Sequence, residues 1–312
     1  MSKYKEMDFS DVKTYPVAER PSKVSVQDFL KIPKTFSTSE FIDSLPDILA
    51  GKNLKELIYN TKNALNNNKP LIIMHGGHVI KCGLSPLLIK AIESGIIDTI
   101  AVNGSVCIHD FEIAFFGKTS EIVDKAIEDG TFGMGEETGR DLNEAIKSGY
   151  RDKLGYGEAV GKFIYEQKPK YIQYSLLAKA YEYEIPVTVH AALGTDIIHQ
   201  HKQADGESLG GASYRDFKIF TNRIKNLNDG GVLVNFGSAV ILPEVFLKAI
   251  TVVRNLGYPL KNFYTAVFDM IMHYRPRTNI VNRPTSMGGR GYYIIGQHEI
   301  MLPLFFYSLL EE

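Results

Sequence analysis

Between Ile185 and His201 the chain reads IPVTVHAALGTDIIHQH, a strand-like apolar run that empties into His190, Asp196, His199 and His201. Imidazole and carboxylate can move protons, receive an amine or ligate a divalent cation, so one short stretch raises three chemistries. Other loops that follow apolar runs repeat the combination. HGGHVIKCG (75–83) supplies Gly76, Gly77, His78, Lys81 and Cys82, and NGSVCIHDFE (103–112) supplies Asn103, Gly104, Ser105, His109, Asp110 and Glu112. NFGSAVILPE (235–244) adds Gly237 and Ser238, and DMIMHYRPRTNIVNRP (269–284) adds His273 with Arg275, Arg277 and Arg283. All eight histidines (75, 78, 109, 190, 199, 201, 273 and 298) fall at or just beyond expected strand ends.

Each group invites a specific role and a plainer one. Gly76 and Gly77 let a backbone approach a ligand, and amides ahead of the helix near Leu84 favour phosphate. The full G-x-G-x-x-G fingerprint is absent, so a tight strand-to-helix turn is the competing reading. His109 and His201 suit general acid–base work, with Asp110 and Asp196 offering negative charge to an amine. The arginines can fork onto phosphate or carboxylate, or simply form a solvated basic loop. His78, His109, Asp196 and His199 form an alternative set for a divalent metal such as zinc, although no spacing among them is diagnostic.

To share one site, these loops need a common edge. Apolar runs of about five residues (PLIIMH, IIDTIAVNG, IPVTVHA, GVLVNFG and NFYTAVFDM) alternate with helical patterns, including those near 172–183, 212–226 and 243–256. The alternation predicts a Rossmann-like, doubly wound α/β fold, its mostly parallel sheet covered by helices on both faces. Ligands of such sheets bind beyond the carboxyl ends of the strands, where all five loops would converge. Residues 1–37 read as a polar, proline-punctuated N-terminal arm, and 38–312 as a single α/β domain with a helical insertion near 117–169.

The totals narrow the class. A formal net charge of −1 gives no electrostatic support to a nucleic-acid partner. No apolar run reaches membrane-span length, and no membrane association is expected. Two cysteines make a disulfide framework untenable and point to a reducing, cytoplasmic setting.

The segments HGGHVIKCGLSPLLIKAIESGIIDTIAVNGSVCIHDFEIAF, EIPVTVHAALGTDIIHQH, GVLVNFGSAVILPEVFLKAI and IIGQHEIMLPLFF, spread over about 70–310, resemble the deoxyhypusine synthase family. That resemblance implies a closing strand and helix at 294–306 and an NAD site lined by Gly77, His78, Lys81, Cys82, Asn103, Gly104 and Ser105. It places Asp196 on a substrate-binding aspartate and His201 on a trailing histidine. It also implies a homo-oligomer, a dimer or tetramer with the cofactor site between paired subunits. The chain departs from the family at Ile241, which stands where the family carries the lysine that forms an imine with its substrate. Isoleucine cannot form a Schiff base. Lys81 is the one replacement that the first loop offers.

Three expectations follow. The first is an NAD-binding enzyme acting on a polyamine or other small polar amine without the lysine-imine step. In it His109, Asp110, Asp196 and His201 are catalytic, and Gly76, Gly77, His78, Lys81, Cys82, Asn103, Gly104, Ser105, Gly237 and Ser238 hold the cofactor. The second is a divalent-metal hydrolase or lyase on the same fold. The third is a non-catalytic binding homologue, against which the gathering of ionisable groups speaks.

Overall fold

The computed structural model describes Met7 and residues 37–311, apart from the side chain of Lys125. The arm expected over 1–37 therefore lies outside the described residues except for Met7 and Ser37. Helices α1 (Thr38–Ser44) and α2 (Leu49–Asn66) lead into β1 (Leu71–His75), followed by α3 (Gly77–Lys81) and α4 (Ser85–Glu93). Then come β2 (Thr99–Val102), α5 (Gly104–Phe116), α6 (Val123–Ala126), α7 (Glu136–Arg151), α8 (Tyr156–Gln167) and α9 (Leu176–Glu182). The rest alternates: β3 (Val187–Val189), α10 (Gly206–Ile224), β4 (Val232–Phe236), α11 (Ile241–Asn255), β5 (Phe263–Asp269), α12 (Tyr274–Pro276), β6 (Gly289–Ile295) and α13 (His298–Leu310).

The six strands form one sheet in the order β3-β2-β1-β4-β5-β6, and every pairing is parallel. All carboxyl ends therefore share one rim, and the order reverses between β1 and β4. That crevice is where doubly wound sheets take their ligands. β1, β2, β3 and β4 are buried along their whole length. Apolar side chains must then serve both faces, which explains LIIMH, TIAV and VLVNF as near-continuous hydrophobic runs.

Side chains in register point to the same face. Ile73, Val234, Ala266 and Tyr292 pack beneath α2, α4, α5, α8, α9 and α13. Ile72, Leu233 and Val267 pack beneath α11 and the C-terminal half of α10. β6 is an edge strand that begins on exposed Gly289 and Arg290, so its pattern reads poorly as a strand. It is held by an Arg290–Glu56 ion pair and by Asn60 donating to the Tyr292 hydroxyl at 2.9 Å.

The helices α6, α7 and α8 sit between β2 and β3, and buried Asp216 of α10 ties α8 to the sheet. Its Oδ2 accepts from the Gly157 amide at 2.9 Å and from the Val189 amide at 2.8 Å. One carboxylate thus satisfies a donor in the first turn of α8 and another at the end of β3. Burial pushes its pKa up to about 7 against the lowering effect of those two bonds.

Candidate functional site

Four strands end in buried polar groups around the reversal. His75 closes β1; its Nδ1–H donates to the Gly76 carbonyl at 3.0 Å, so its buried Nε2 carries the lone pair. Burial lowers its pKa to about 4, aided by His298. Asn235, next to last in β4, donates through Nδ2 to the Ser238 carbonyl at 3.0 Å, leaving Oδ1 buried without a donor. Asp269 closes β5; Oδ1 accepts from the Met270 amide at 2.8 Å, and Oδ2 is buried without a hydrogen bond, 3.7 Å from His273 Nε2. His298 opens α13 just beyond β6, its ring 5.9 Å from His78 and its Nδ1 unpartnered. Burial lowers its pKa, with His78 adding to the effect. Its ring also fills the place a side chain on Gly237 would need, and Gly237 sits at φ +72°, where glycine is favoured twice over.

The β1 loop joins this half to a second, on the β2 side. A Cβ on Gly77 would lie 2.6 Å from Ser105 Oγ and 2.8 Å from His109 Cδ2, so Gly77 is bare because these side chains lean on it. Asn103 is the N-cap residue of α5, and its Oδ1 accepts from Ser105 Oγ at 2.9 Å. His109, half-buried one turn into α5, makes a 2.8 Å hydrogen bond between Nδ1 and Thr119 Oγ1. Thr119 Oγ1 donates to Glu112 Oε2 at 2.5 Å, and Thr138 Oγ1 donates to Glu112 Oε1 at 3.1 Å. Burial lowers the His109 pKa to about 4, with the Lys81 charge adding to it, so the ring is neutral at physiological pH.

Asp196 lies behind the N-terminus of α5. Its Oδ2 occupies the space a side chain on Gly104 would take, and burial pushes its pKa up to about 6. His199 Nδ1 accepts from the Gly194 and Asp196 amides at 3.1 and 3.2 Å, which puts the ring proton on Nε2, 4.0 Å from Asp196 Oδ2. Gly77 and Gly104 were expected to cradle a ligand; instead they accommodate neighbouring side chains. Gly76 keeps its open side, with Asn103 Nδ2 3.9 Å from its Cβ position.

Two expected catalytic residues do not reach this rim. Asp110 follows His109 directly on α5, which turns it about 100° away and into the interior. It is fully buried and accepts from Ser175 Oγ at 2.5 Å and from the Leu176 and Leu177 amides at 2.7 and 3.2 Å. Asp110 therefore anchors the start of α9 instead of receiving an amine. Ser175 also caps that helix, accepting from the Ala178 amide at 3.0 Å. Ser175→Ala removes both bonds and is expected to cost about 1–2 kcal/mol in urea denaturation, with no change in ligand binding. His201 braces the insertion: Nε2 donates to the Gly133 carbonyl at 2.8 Å and the ring packs on Gly139.

The remaining expected residues scatter. Lys81 is exposed, and Cys82 Sγ donates to Glu299 Oε2 at 3.9 Å. Arg275 pairs with Glu244 at 3.4 Å and Arg283 donates to Asn279 at 2.9 Å, so both have partners within the chain. Among the described residues no group of three or more His, Cys, Asp or Glu side chains is arranged to hold a metal ion. Of the four expected ligands, His78 faces His298, His109 faces Gly77, and Asp196 with His199 lies behind Gly104. The divalent-metal reading is not supported.

Sequence reasoning missed His75, Asn235, Asp269, His298 and Thr119 as site residues. Asn235 and Asp269 carried a usable signal, because each interrupts an apolar run close to its carboxyl end. A cavity of about 1410 Å³ opens at the opposite edge, among Pro70, Asp98, Pro186, Asp216, Arg223 and Lys225. It faces the amino ends of the strands, where this architecture does not place its ligands. Asp98 and Arg223 are already paired across it at 2.5 Å. Asp216 Oδ1 is buried without a partner on that side, but His75, Asn235, Asp269 and His298 each bring such an atom to the other rim, which marks the better site.

No protein-family model matches the chain, and no curated protein matches it in sequence. Solved structures do share its fold. An Entamoeba histolytica protein provisionally assigned as a deoxyhypusine synthase aligns with a TM-score of 0.53 at 12% identity, over 88% of this chain and 93% of that one. The fold is deoxyhypusine synthase-like. AgrE, solved in a ternary complex with ornithine and NAD+, aligns with a TM-score of 0.52 at 10% identity, over 83% of this chain. ArgZ, an arginine dihydrolase from the cyanobacterial ornithine-ammonia cycle, aligns at 0.50 and 13% identity, over 84% of this chain. The chain spans about a third of the length of AgrE and ArgZ, 32% and 33%. Among the described residues no helix is long and apolar enough to cross a membrane.

Proposed function

We propose that the chain is an NAD-binding enzyme acting on a small polar amine without a lysine imine, with the cofactor in the crevice between β1 and β4. One observation carries this reading: His75 Nε2, Asn235 Oδ1 and Asp269 Oδ2 are buried acceptors without a donor, on the neighbouring strands β1, β4 and β5. Leaving such a group unpaired costs about 1–3 kcal/mol, and more for a carboxylate, which a ligand rich in N–H and O–H donors offsets. Ribose hydroxyls and a carboxamide supply such donors, and so does an ammonium group. Phosphate does not.

The residues present fit NAD at this place. Gly76, Asn103 and Ser238 would hold it, with the three acceptors receiving its donors. When bound, NAD supplies a hydride acceptor. On the β2 side, neutral His109 would take a proton from the substrate amine. Ile241 opens α11 and offers no amine, and Lys81 is exposed, so covalent capture through lysine has no support. The complex of AgrE with ornithine and NAD+ on the same fold supports both the cofactor and an amino-acid-like amine. Two free thiols accord with a cytoplasmic setting, and we extend the proposal to a dimer or tetramer.

Calorimetric titration with NAD tests this reading. Binding at millimolar affinity or tighter is expected, weakened about tenfold in Asp269→Asn because an acceptor is replaced by a donor. Absence of heat from the wild-type chain at millimolar NAD would reject it.

A further inference from the structure

We infer that the insertion after α5 locks His109 into a single neutral tautomer, Nδ1–H with a bare Nε2, through Thr119 as a positioning residue and Glu112 as the end of a relay. The inference rests on the proposed role of His109 and assigns its proton-accepting atom. A carboxylate only accepts, so the 2.5 Å contact between Thr119 Oγ1 and Glu112 Oε2 uses the single hydroxyl proton of Thr119. Thr119 then has only lone pairs to offer His109, and the 2.8 Å contact requires the proton on Nδ1. The reverse arrangement would set a hydroxyl lone pair against a carboxylate oxygen at 2.5 Å. Thr138 fixes the carboxylate from its other side, donating to Oε1 at 3.1 Å.

The placement gives the relay its use. Glu112 is three residues beyond His109 on α5, but both hydroxyls come from outside that helix, Thr119 from the loop behind it and Thr138 from α7. His109 Cδ2 and Nε2 would be the near neighbours of a Cβ on Gly77, at 2.8 and 3.3 Å, so the bare nitrogen faces the β1 loop and Ser105. Orienting a base through the nitrogen it does not use is the arrangement that fixes tautomers at metal and catalytic sites. The insertion, which adds no strand to the sheet, thereby acquires a task at the rim.

The test reads imidazole ¹⁵N shifts of the whole protein labelled at histidine, with His109 assigned by the signal lost in His109→Gln. A pyrrole-type Nδ1 and a pyridine-type Nε2 are expected. Thr119→Val should shift the tautomer ratio about tenfold towards the other form, the equivalent of one lost hydrogen bond, and Thr119→Ser should restore it. A protonated Nε2 in the wild type, or unchanged shifts in Thr119→Val, would overturn the inference; the wild-type spectrum decides even if the valine variant fails to fold. The measurement needs neither NAD nor substrate, so its failure is distinguishable from failure of the cofactor reading.

Discussion

Replacing Asp216 by alanine is expected to lower the free energy of unfolding by about 3–5 kcal/mol, read from urea denaturation. The Gly157 and Val189 amides both donate to its Oδ2, and alanine would leave both donors buried without a partner while opening a cavity between α8, α10 and β3. A loss below about 1 kcal/mol would show that neighbouring groups re-pair these amides. The carboxylate also gives the effect a pH signature. Its folded pKa, about 7, is raised above the unfolded value near 3.9. The native state then binds the proton more tightly, so this group favours folding fully below about pH 4 and its contribution is lost as pH rises through 7. Asp216→Asn keeps an acceptor and never ionises. It should therefore gain on the wild type steadily between pH 4 and 7, and a flat difference over that window would contradict the assignment.

If the proposed function holds, His109→Gln should reduce amine-dependent NAD turnover by about 10²–10⁴-fold while leaving the thermal midpoint nearly unchanged, because the ring is only half-buried and would serve the substrate. Ornithine and arginine are the first substrates to assay. Burial and Lys81 hold the His109 pKa at about 4, so the base is ready above that pH and silenced below it. The acid limb of kcat/KM should accordingly fall near 4, not at the 6.5 of a free imidazole. Wild-type rates in the variant would remove His109 from the chemistry, and a limb near 6.5 would mean that substrate enters with the ring still open to water.

Much of this architecture was legible beforehand. LIIMH, TIAV and VLVNF read as buried parallel strands because both of their faces demand apolar residues, and the loops carrying His75, His109 and Asp196 were expected at one rim for that reason. β6 was not legible from pattern, since an edge strand opening on Gly289 and Arg290 buries too little to be periodic. It was anticipated only through the likeness of 294–306 to another family.

The site was harder to read because it depends on rotation and on remote partners. His109 and Asp110 are adjacent in the chain, yet one faces the rim and the other anchors α9. Gly77 and Gly104 looked like room for a ligand and proved to be room for Ser105, His109 and Asp196. Thr119 carried no local signal, since its role arises where a loop folds back onto α5. Asn235 and Asp269 show in the sequence as single polar residues near the carboxyl ends of apolar runs, but nothing local says that each keeps a buried acceptor without a donor.

A crystal structure of the chain grown with NAD tests the central claim most directly. The account predicts density for the dinucleotide across the β1–β4 crevice, with donor groups on His75, Asn235 or Asp269 and with His109 facing the reactive end. Density confined to the cavity at the opposite edge of the sheet, or an empty crevice with those three acceptors engaged by other side chains, would contradict it.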